Sequence, residues 1–585
     1  MKLNIKKSGN FTYLYAVKSF RDNNGKYGAK TIEKFGTIEE LREQLHGEDP
    51  IEWAKAKVAQ MTNEEKEEKK SVVVNLSPTL LLNKDTQNSY NGGFLFLQKI
   101  YYDLGLHTIC KNISEKHGFK YDLNSILSRL LYSRIMYPAS KLATCDISKK
   151  YIEQPNFDLH QIYRALSVLA EESDNIQASV YKNSLKNIER RTGVVYYDCT
   201  NYFFETEEAE GLKQYGVSKE HRPSPIVQMG LFMDADGIPL AFDINPGNTN
   251  EQTTLRPLQK KLNDNFDLSK MIVCTDAGLS SLENRKYNNV GARSYITTQS
   301  VKMLKGHIKN WALSSGGWSV LGNDKTFNID ELDENIDYSN TTFYKERWIN
   351  ENGLEQRIMV TFSLKYLNFT RRKRADQIAR AANRINNNPS KINSARSTDF
   401  KRFIEQTKCT SDGEIATINS YSINEERIAD EEQYDGFYAV CTNLEDKVGD
   451  IIKINHKRWE IEESFRIMKT EFKARPVFLK RDDRIRAHFL TCFLSLLIFR
   501  ILEKKTESKY SPHTLVSTLS EMNFANIAAE GFMPIYTRNS ITDELHSVFD
   551  FRTDYRIITK KNMNEIISYT KNSRSSQRKR AKMKE

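Results

Sequence analysis

Three acidic residues in this 585-residue chain stand where a carboxylate could hold a hard cation. Asp198 closes, or nearly closes, the apolar run in "GVVYYDCT". Asp276 closes "MIVCTDAG". Glu462 lies in "WEIEESFRIMK", residues 459–469, beside the apolar side of a helix. At about 100° per residue, Arg458, Glu462 and Lys469 fall within about 40° of one another, and Asn455 lies about 20° further round. Ile454, Ile461, Phe465, Met468 and Phe472 cluster next to that stripe, with Ile467 off it. Glu462 therefore reads as a carboxylate at the border of core and solvent.

Each feature has an ordinary alternative. An Arg/Glu pair four residues apart is usually a solvated salt bridge worth a few tenths of a kcal/mol, and Arg before Glu is the weaker order. An Asp at a strand end is often a turn residue or a helix cap. Taken together, the three form a set of oxygen ligands. Mg²⁺ takes carboxylate oxygens together with waters and substrate phosphate. Two such ions about 4 Å apart serve an in-line phosphoryl displacement. Arg458 and Lys469 would then face a phosphate backbone.

The elements that must position these residues follow from periodicity. Residues 1–45 alternate like short strands and end in a helix, "TIEELREQL", with a capping box from Thr37 to Glu40. "NEEKEEKK" at 63–70 reads as a charged linker. Residues 78–190 carry helical periodicity. From 191 the pattern becomes α/β: "GVVYYDCT" and "MIVCTDAG" are strands, and "PIVQMGLFMDADGIPLAFDI" is a hairpin turning at Asp236–Gly237. In open α/β sheets, functional groups gather near the carboxyl ends of strands, where Asp198 and Asp276 lie.

Composition bounds the reading. The length calls for several domains. A hydrophobic share of 39% with 11% aromatics excludes a chain disordered throughout. The net charge of +11 points to a polyanionic partner. Cys110, Cys145, Cys199, Cys274, Cys409, Cys441 and Cys492 are scattered, without a CxxC pair, which reads as reduced thiols and neither a disulfide framework nor a zinc site. "MKLNIKKSGN" has no apolar h-region, and "FLTCFLSLLIF" is too short to span a bilayer. A cytoplasmic protein with no membrane partner is expected.

The order of motifs carries a resemblance. Asn455-x2-Arg458-x3-Glu462-x6-Lys469 resembles the Y-R-E-K signature of DDE transposases encoded by bacterial insertion sequences. "YYDCTNYFFE" and "VCTDAGLSS" are similar to that family's two aspartate motifs. "KEHRPSPIVQMGLFMDADGIPLAFDINPGNTNE" resembles the stretch between them, and "RIRAHFLTCFLSLLIFRILE" the helix after the glutamate. The likeness runs from about 85 to 505 and is closest to the insertion-sequence-four superfamily, in its sixteen-thirty-four branch. One departure is that Asn455 stands at the signature's Tyr.

The resemblance implies an α/β fold with an RNase H-like catalytic core, a mixed sheet with helices. A β-rich insertion domain would interrupt the core, with a small α+β N-terminal domain and helical regions flanking it. The expected division is 1–70, an N-terminal domain and linker; 71–190, helical and binding DNA ends; 191–305 and 446–505, the two parts of the core; 306–445, the insertion; 506–585, a C-terminal region with a basic tail. Asp198, Asp276 and Glu462 would be catalytic and hold two Mg²⁺ ions, with Mn²⁺ substituting. Asn455, Arg458 and Lys469 would contact DNA. The activity implied is cut-and-paste transposition, with hydrolysis at the element ends and strand transfer into target DNA. The partners would be terminal inverted repeats and target DNA, held by a homodimer.

An aromatic residue of the insertion could stack on a flipped base, and Trp348 is the candidate. The cationic tail "KNSRSSQRKRAKMKE" would either touch phosphate or only keep the protein soluble. Two alternatives stay open from sequence: an RNase H-like nuclease that cuts without joining, and a non-catalytic DNA-binding protein derived from a transposase.

Overall fold

Alternating residues at the N-terminus pair as an antiparallel meander in the computed structural model: β1 (Lys2–Ser8), β2 (Phe11–Arg21) and β3 (Tyr27–Thr37). The structure describes residues 1–585 apart from 10, 22–26, 46, 71–77, 80, 82–83, 334, 388–398, 410–417, 528–529 and 573–585. The basic tail thus lies almost wholly outside the described residues. α1 (Ile38–Gln44) starts on the capping box read from sequence: the Thr37 hydroxyl accepts from the Glu40 N–H at 3.1 Å, and the Glu40 carboxylate accepts from the Thr37 N–H at 2.8 Å. α2 (Pro50–Lys70) runs through residues 63–70, so the expected linker is helix. Charges of both signs at three- and four-residue spacing suit an exposed helix as well as a linker. These elements belong to the smaller of two units, Met1–Asn88 with Ala525–Pro534 and Tyr555–Met563.

The larger unit opens with β4 (Ser89–Asn91) and six helices: α3 (Phe94–Asp103), α4 (Leu106–His117), α5 (Leu123–Met136), α6 (Lys141–Ser148), α7 (Leu159–Glu171) and α8 (Ser173–Ser184). Side-chain caps fix two of the starts, Asp122 on α5 and Ser140 on α6. Then come β5 (Val194–Phe203), β6 (Ile226–Asp234), β7 (Pro239–Pro246), α9 (Glu251–Phe266), β8 (Met271–Thr275), α10 (Leu282–Tyr287) and β9 (Arg293–Gln299). The β6–β7 hairpin turns at Gly237, whose φ of 71° suits glycine. The Asp234 carboxylate braces this turn by accepting from the N–H groups of Asp236 and Ile238.

The next elements are α11 (Gly306–Leu313), β10 (Trp318–Val320), β11 (Asn323–Phe327), β12 (Phe343–Glu351), β13 (Leu354–Phe362), α12 (Leu364–Asn387), β14 (Ile404–Cys409), β15 (Ile418–Ile423), α13 (Glu425–Glu432) and β16 (Phe437–Thr442). Among the described residues they build no sheet of their own apart from the two-stranded β14–β15 pair. One ten-stranded sheet runs β11-β10-β12-β13-β16-β9-β8-β5-β6-β7. Its centre, β5-β8-β9, is parallel, and antiparallel strands extend it on both sides. The strands expected as a separate insertion therefore continue the central sheet, because β16 adds along β9 (Ala439 opposite Gln299, Thr442 opposite Ile296).

α14 (Val448–His456), α15 (Trp459–Thr470) and α16 (Asp482–Lys505) follow. The stripe of Asn455, Arg458, Glu462 and Lys469 is thus split between two helices, with Arg458 as the N-cap of α15. Ile467, off the expected apolar side, is fully buried, so α15 is covered on more of its surface than an amphipathic stripe requires. α16 is long and apolar enough to cross a membrane, but its apolar window is 94% buried in the protein. It is a core helix, packed against α3, α5, α7 and β7.

Candidate active site

Side-chain alternation along β5 decides what Asp198 faces. Val195, Tyr197 and Cys199 point to a core formed with α9 and Val273. Tyr196, Asp198, Thr200 and Tyr202 point the other way, toward α14 and α15. There the Tyr196 hydroxyl donates to the Ile454 carbonyl at 2.9 Å, and Tyr202 reaches the Met468 sulfur at 3.7 Å. β8 lies parallel beside β5 with Tyr196 level with Cys274. Asp198 follows two residues later in β5, and Asp276 caps the turn just past the end of β8, near enough for its charge to act on Asp198.

Both aspartates are half-buried. Burial pushes the Asp198 carboxyl up to about 7, and repulsion from Asp276 adds to the rise, while Lys219 and Arg458 draw it down. Its carboxylate accepts from the Cys199 N–H at 2.7 Å. Asp276 caps the short turn Ala277–Leu279, accepting from the Leu279 N–H at 3.1 Å. Asp276 is therefore a cap as well as a candidate ligand.

Glu462 is placed differently. Its side chain is 60% exposed and stands 3.5 Å from the Arg458 guanidinium. Arg458 is largely enclosed and feels Tyr438, Asp276 and Glu462 together, which hold its charge firmly despite burial. Asn455 is buried, with its amide donating to the Tyr438 hydroxyl at 3.0 Å. Lys469 leans the other way along α15: its ammonium donates to the Thr200 hydroxyl at 2.6 Å and lies 3.7 Å from Glu220. Burial and the neighbouring Lys219 lower it to about 8, against the pull of Asp198.

Two clusters thus meet at the aspartate pair. Arg458, Glu462, Tyr438 and Asn455 lie on the Asp276 side, while Lys469, Lys219 and Glu220 lie on the Asp198 side. Lys219 donates to the Cys199 carbonyl and stands 3.3 Å from Glu251. Sequence reasoning missed Lys219, Glu220, Glu251 and Tyr438. The first two sit in "KEHRPSP" and Tyr438 in "YDGFYAVCTN", stretches with no spacing that singles them out.

The three acids do not close on a single point. Among the described residues, the set of three possible ligands with donor atoms mutually within 4.8 Å is His117, Glu171 and Glu172. That set is already paired: Glu172 is buried, yet Lys116, His117 and Asn175 hold it down to about 2. The six described cysteine side chains are free and buried, in keeping with structural thiols. Trp348, the stacking candidate, lies on β12 and is 44% exposed, so it is not core.

The family model described as "Transposase DDE domain" matches residues 203–498, half of the chain. The match takes in Asp276 and Glu462 and begins just past Asp198. Among solved structures the chain is similar to one described as a cryo-EM structure of the piggyBac transposase synaptic complex with hairpin DNA. The identity is 8% and the TM-score 0.36, over 82% of this chain and 86% of that one, too distant to carry an argument. No curated protein sequence matches.

Proposed function

The chain belongs to the transposase DDE domain family, and from that premise we propose that it moves an insertion sequence by cut-and-paste. It hydrolyses DNA at the element's ends and joins the freed 3′-OH to target DNA. In this reading its partners are the terminal inverted repeats and the target duplex, held by a homodimer. The order of motifs favours the insertion-sequence-four superfamily and its sixteen-thirty-four branch. The catalytic part is read as an RNase H-like core.

One observation supports the reading: β5 pairs in parallel with β8, and Asp198 lies near the turn that Asp276 caps, close enough for the two carboxylates to repel. Two neighbouring carboxylates, one pushed up to about 7 chiefly by burial and also by the other's charge, are a donor set that a hard divalent ion suits. Asp198 and Asp276 would hold two Mg²⁺ ions, or Mn²⁺, with Glu462 completing the set. When bound, the ions supply Lewis acidity and lower the pKa of the attacking oxygen.

The chain's own groups do the rest. Arg458 is a partner of Glu462, and a strand phosphate would draw the guanidinium away and release the carboxylate. Lys469 and Lys219 neutralise strand phosphate on the Asp198 side. The Tyr438 hydroxyl, bonded to Asn455, supplies the phenol that the signature's Tyr would give. Trp348 offers an exposed face for a flipped base.

The test starts from the DNA on either side of the reading frame. Inverted repeats there should be nicked by the purified protein with Mg²⁺ and left intact with chelator. Binding without any cutting would leave the non-catalytic alternative. Cutting without joining would leave the nuclease.

A further inference from the structure

Past α15 the chain turns back through "KARPVFLKRDD" (residues 473–483) and leaves a cleft against the start of α6. Its cavity volume is about 270 Å³, just under the small end of the rough 300–1,000 Å³ range of ligand sites. Arg134, Lys141, Lys473, Arg475 and His488 line it, and no lining residue is a carboxylate.

The charges are built in rather than merely present at the surface. Lys141 is 6% exposed, and its ammonium has no partner among the described residues. Arg134, also 6% exposed, spends its two terminal nitrogens on the carbonyls of Phe472 and Ala139, and its Nε is buried without an acceptor. A buried cation without a counter-charge is costly. Here the cost shows in Lys141, which burial and the nearby Arg134 bring down to about 7. His488 Nε2 stands 3.2 Å from the Ala474 carbonyl, and burial keeps the ring neutral.

Two further features say what kind of anion fits. Phe478 is 68% exposed and forms an apolar lip with Val477 and Leu479. The cleft also connects to the catalytic side, because Glu220 reaches both Arg475 and Lys469. Converging cations match phosphate, and an exposed aromatic ring beside them matches a base.

We propose that this cleft is a second phosphate site on the DNA path, seating a backbone phosphate on Lys141 and Arg134 with the adjoining base on Phe478. The proposal relies on the DNA-processing reading for the source of the phosphate. It is tested on the DNA-free full chain with inorganic phosphate and with a short single-stranded oligonucleotide. Both should raise the melting temperature of the wild type.

Lys141→Met should melt no lower than wild type without ligand, and should lose the phosphate shift. It should also bind the oligonucleotide about tenfold more weakly, with a salt slope shallower by about 0.7. Phe478→Ala, at an exposed position, keeps the test open if Lys141→Met folds poorly. It should weaken the oligonucleotide about fivefold or more and leave phosphate unaffected. An equal phosphate shift in Lys141→Met, or no shift in either protein, overturns the site. A phosphate shift that Lys141→Met loses without any change in oligonucleotide affinity would make it a small-anion site and overturn the DNA assignment. These readouts need no cleavage, so a protein that binds here yet never cuts DNA would sink the transposition reading and spare the cleft.

Discussion

In the proposed site the aspartate pair and the glutamate would do the same formal job, but the fold holds them by different means. Asp198 is fixed in β5 and Asp276 by the turn it caps past β8, and both are half-buried. Glu462 is fixed only by the first turn of α15 and by Arg458, and most of its side chain is in water. Asp198 is therefore held in the fold at an electrostatic cost, set by burial and added to by the Asp276 charge. The glutamate is relaxed and free to change partner. A site built this way stores its cost in the sheet and leaves its adjustable part on the helix.

The largest effect expected is on catalysis at the pair. Asp198→Asn and Asp276→Asn should each lower Mg²⁺-dependent end cleavage by a factor of about 10³ or more, with end binding nearly intact, because a carboxamide keeps the shape and loses the charge. Glu462→Gln should also abolish cutting. Gel-based cleavage and binding on the same preparations check this, and strong residual cutting by any variant removes that residue from the set.

Next comes the electrostatic cost itself. Asp198 titrates near 7 in the fold against an ordinary 3.8. Its folded pKa is raised, so between about pH 4 and 7 the fold keeps a proton that the unfolded chain has lost, and stability falls as pH rises through that window. Metal-free Asp198→Asn escapes this fall. It should be more stable than wild type at pH 8 by about 1–3 kcal/mol, with the gap closing toward pH 4. Denaturant melts of wild type and Asp198→Asn across pH check this, and a gap that stays constant from pH 4 to 8 would break the account of Asp198.

How much of this was legible is itself instructive. Hydrophobic alternation exposed β5, β8 and the β6–β7 hairpin, and the ends of those apolar runs pointed to Asp198 and Asp276. Sequence could not say that β5 and β8 are neighbours with Tyr196 opposite Cys274, because register is set by the pairing of distant strands. Nor could it say that β10–β13 and β16 continue the central sheet, since strand pattern does not name its neighbour. The stripe on residues 455–469 was visible as an angle, but the break at Lys457–Arg458 was not, because both residues keep near-helical dihedrals. Lys219 and Tyr438 come to the site only through the fold.

Smaller effects sharpen the helix side. Arg458→Ala and Lys469→Ala should slow cleavage or joining about tenfold or more, the rate equivalent of a charge-assisted phosphate contact of about 1.5–3 kcal/mol. Normal transfer with a lowered melting temperature would make these two side chains structural. Tyr438→Phe should cost less, about threefold to tenfold, as the loss of one neutral hydrogen bond. Smallest is the basic tail: deleting 571–585 should flatten the salt dependence of end binding if it touches DNA, and leave the slope unchanged if it only keeps the protein soluble.

The most direct test of the central claim is strand transfer from a pre-cut end, a duplex carrying the element's terminal repeat with a free 3′-OH, into supercoiled plasmid. The wild type should join it with Mg²⁺ or Mn²⁺ and not with Ca²⁺ or chelator, while Asp198→Asn and Asp276→Asn bind the same duplex and join none of it. Joining by either variant at the wild-type rate, or a wild type that binds the end and never joins it, would contradict the account.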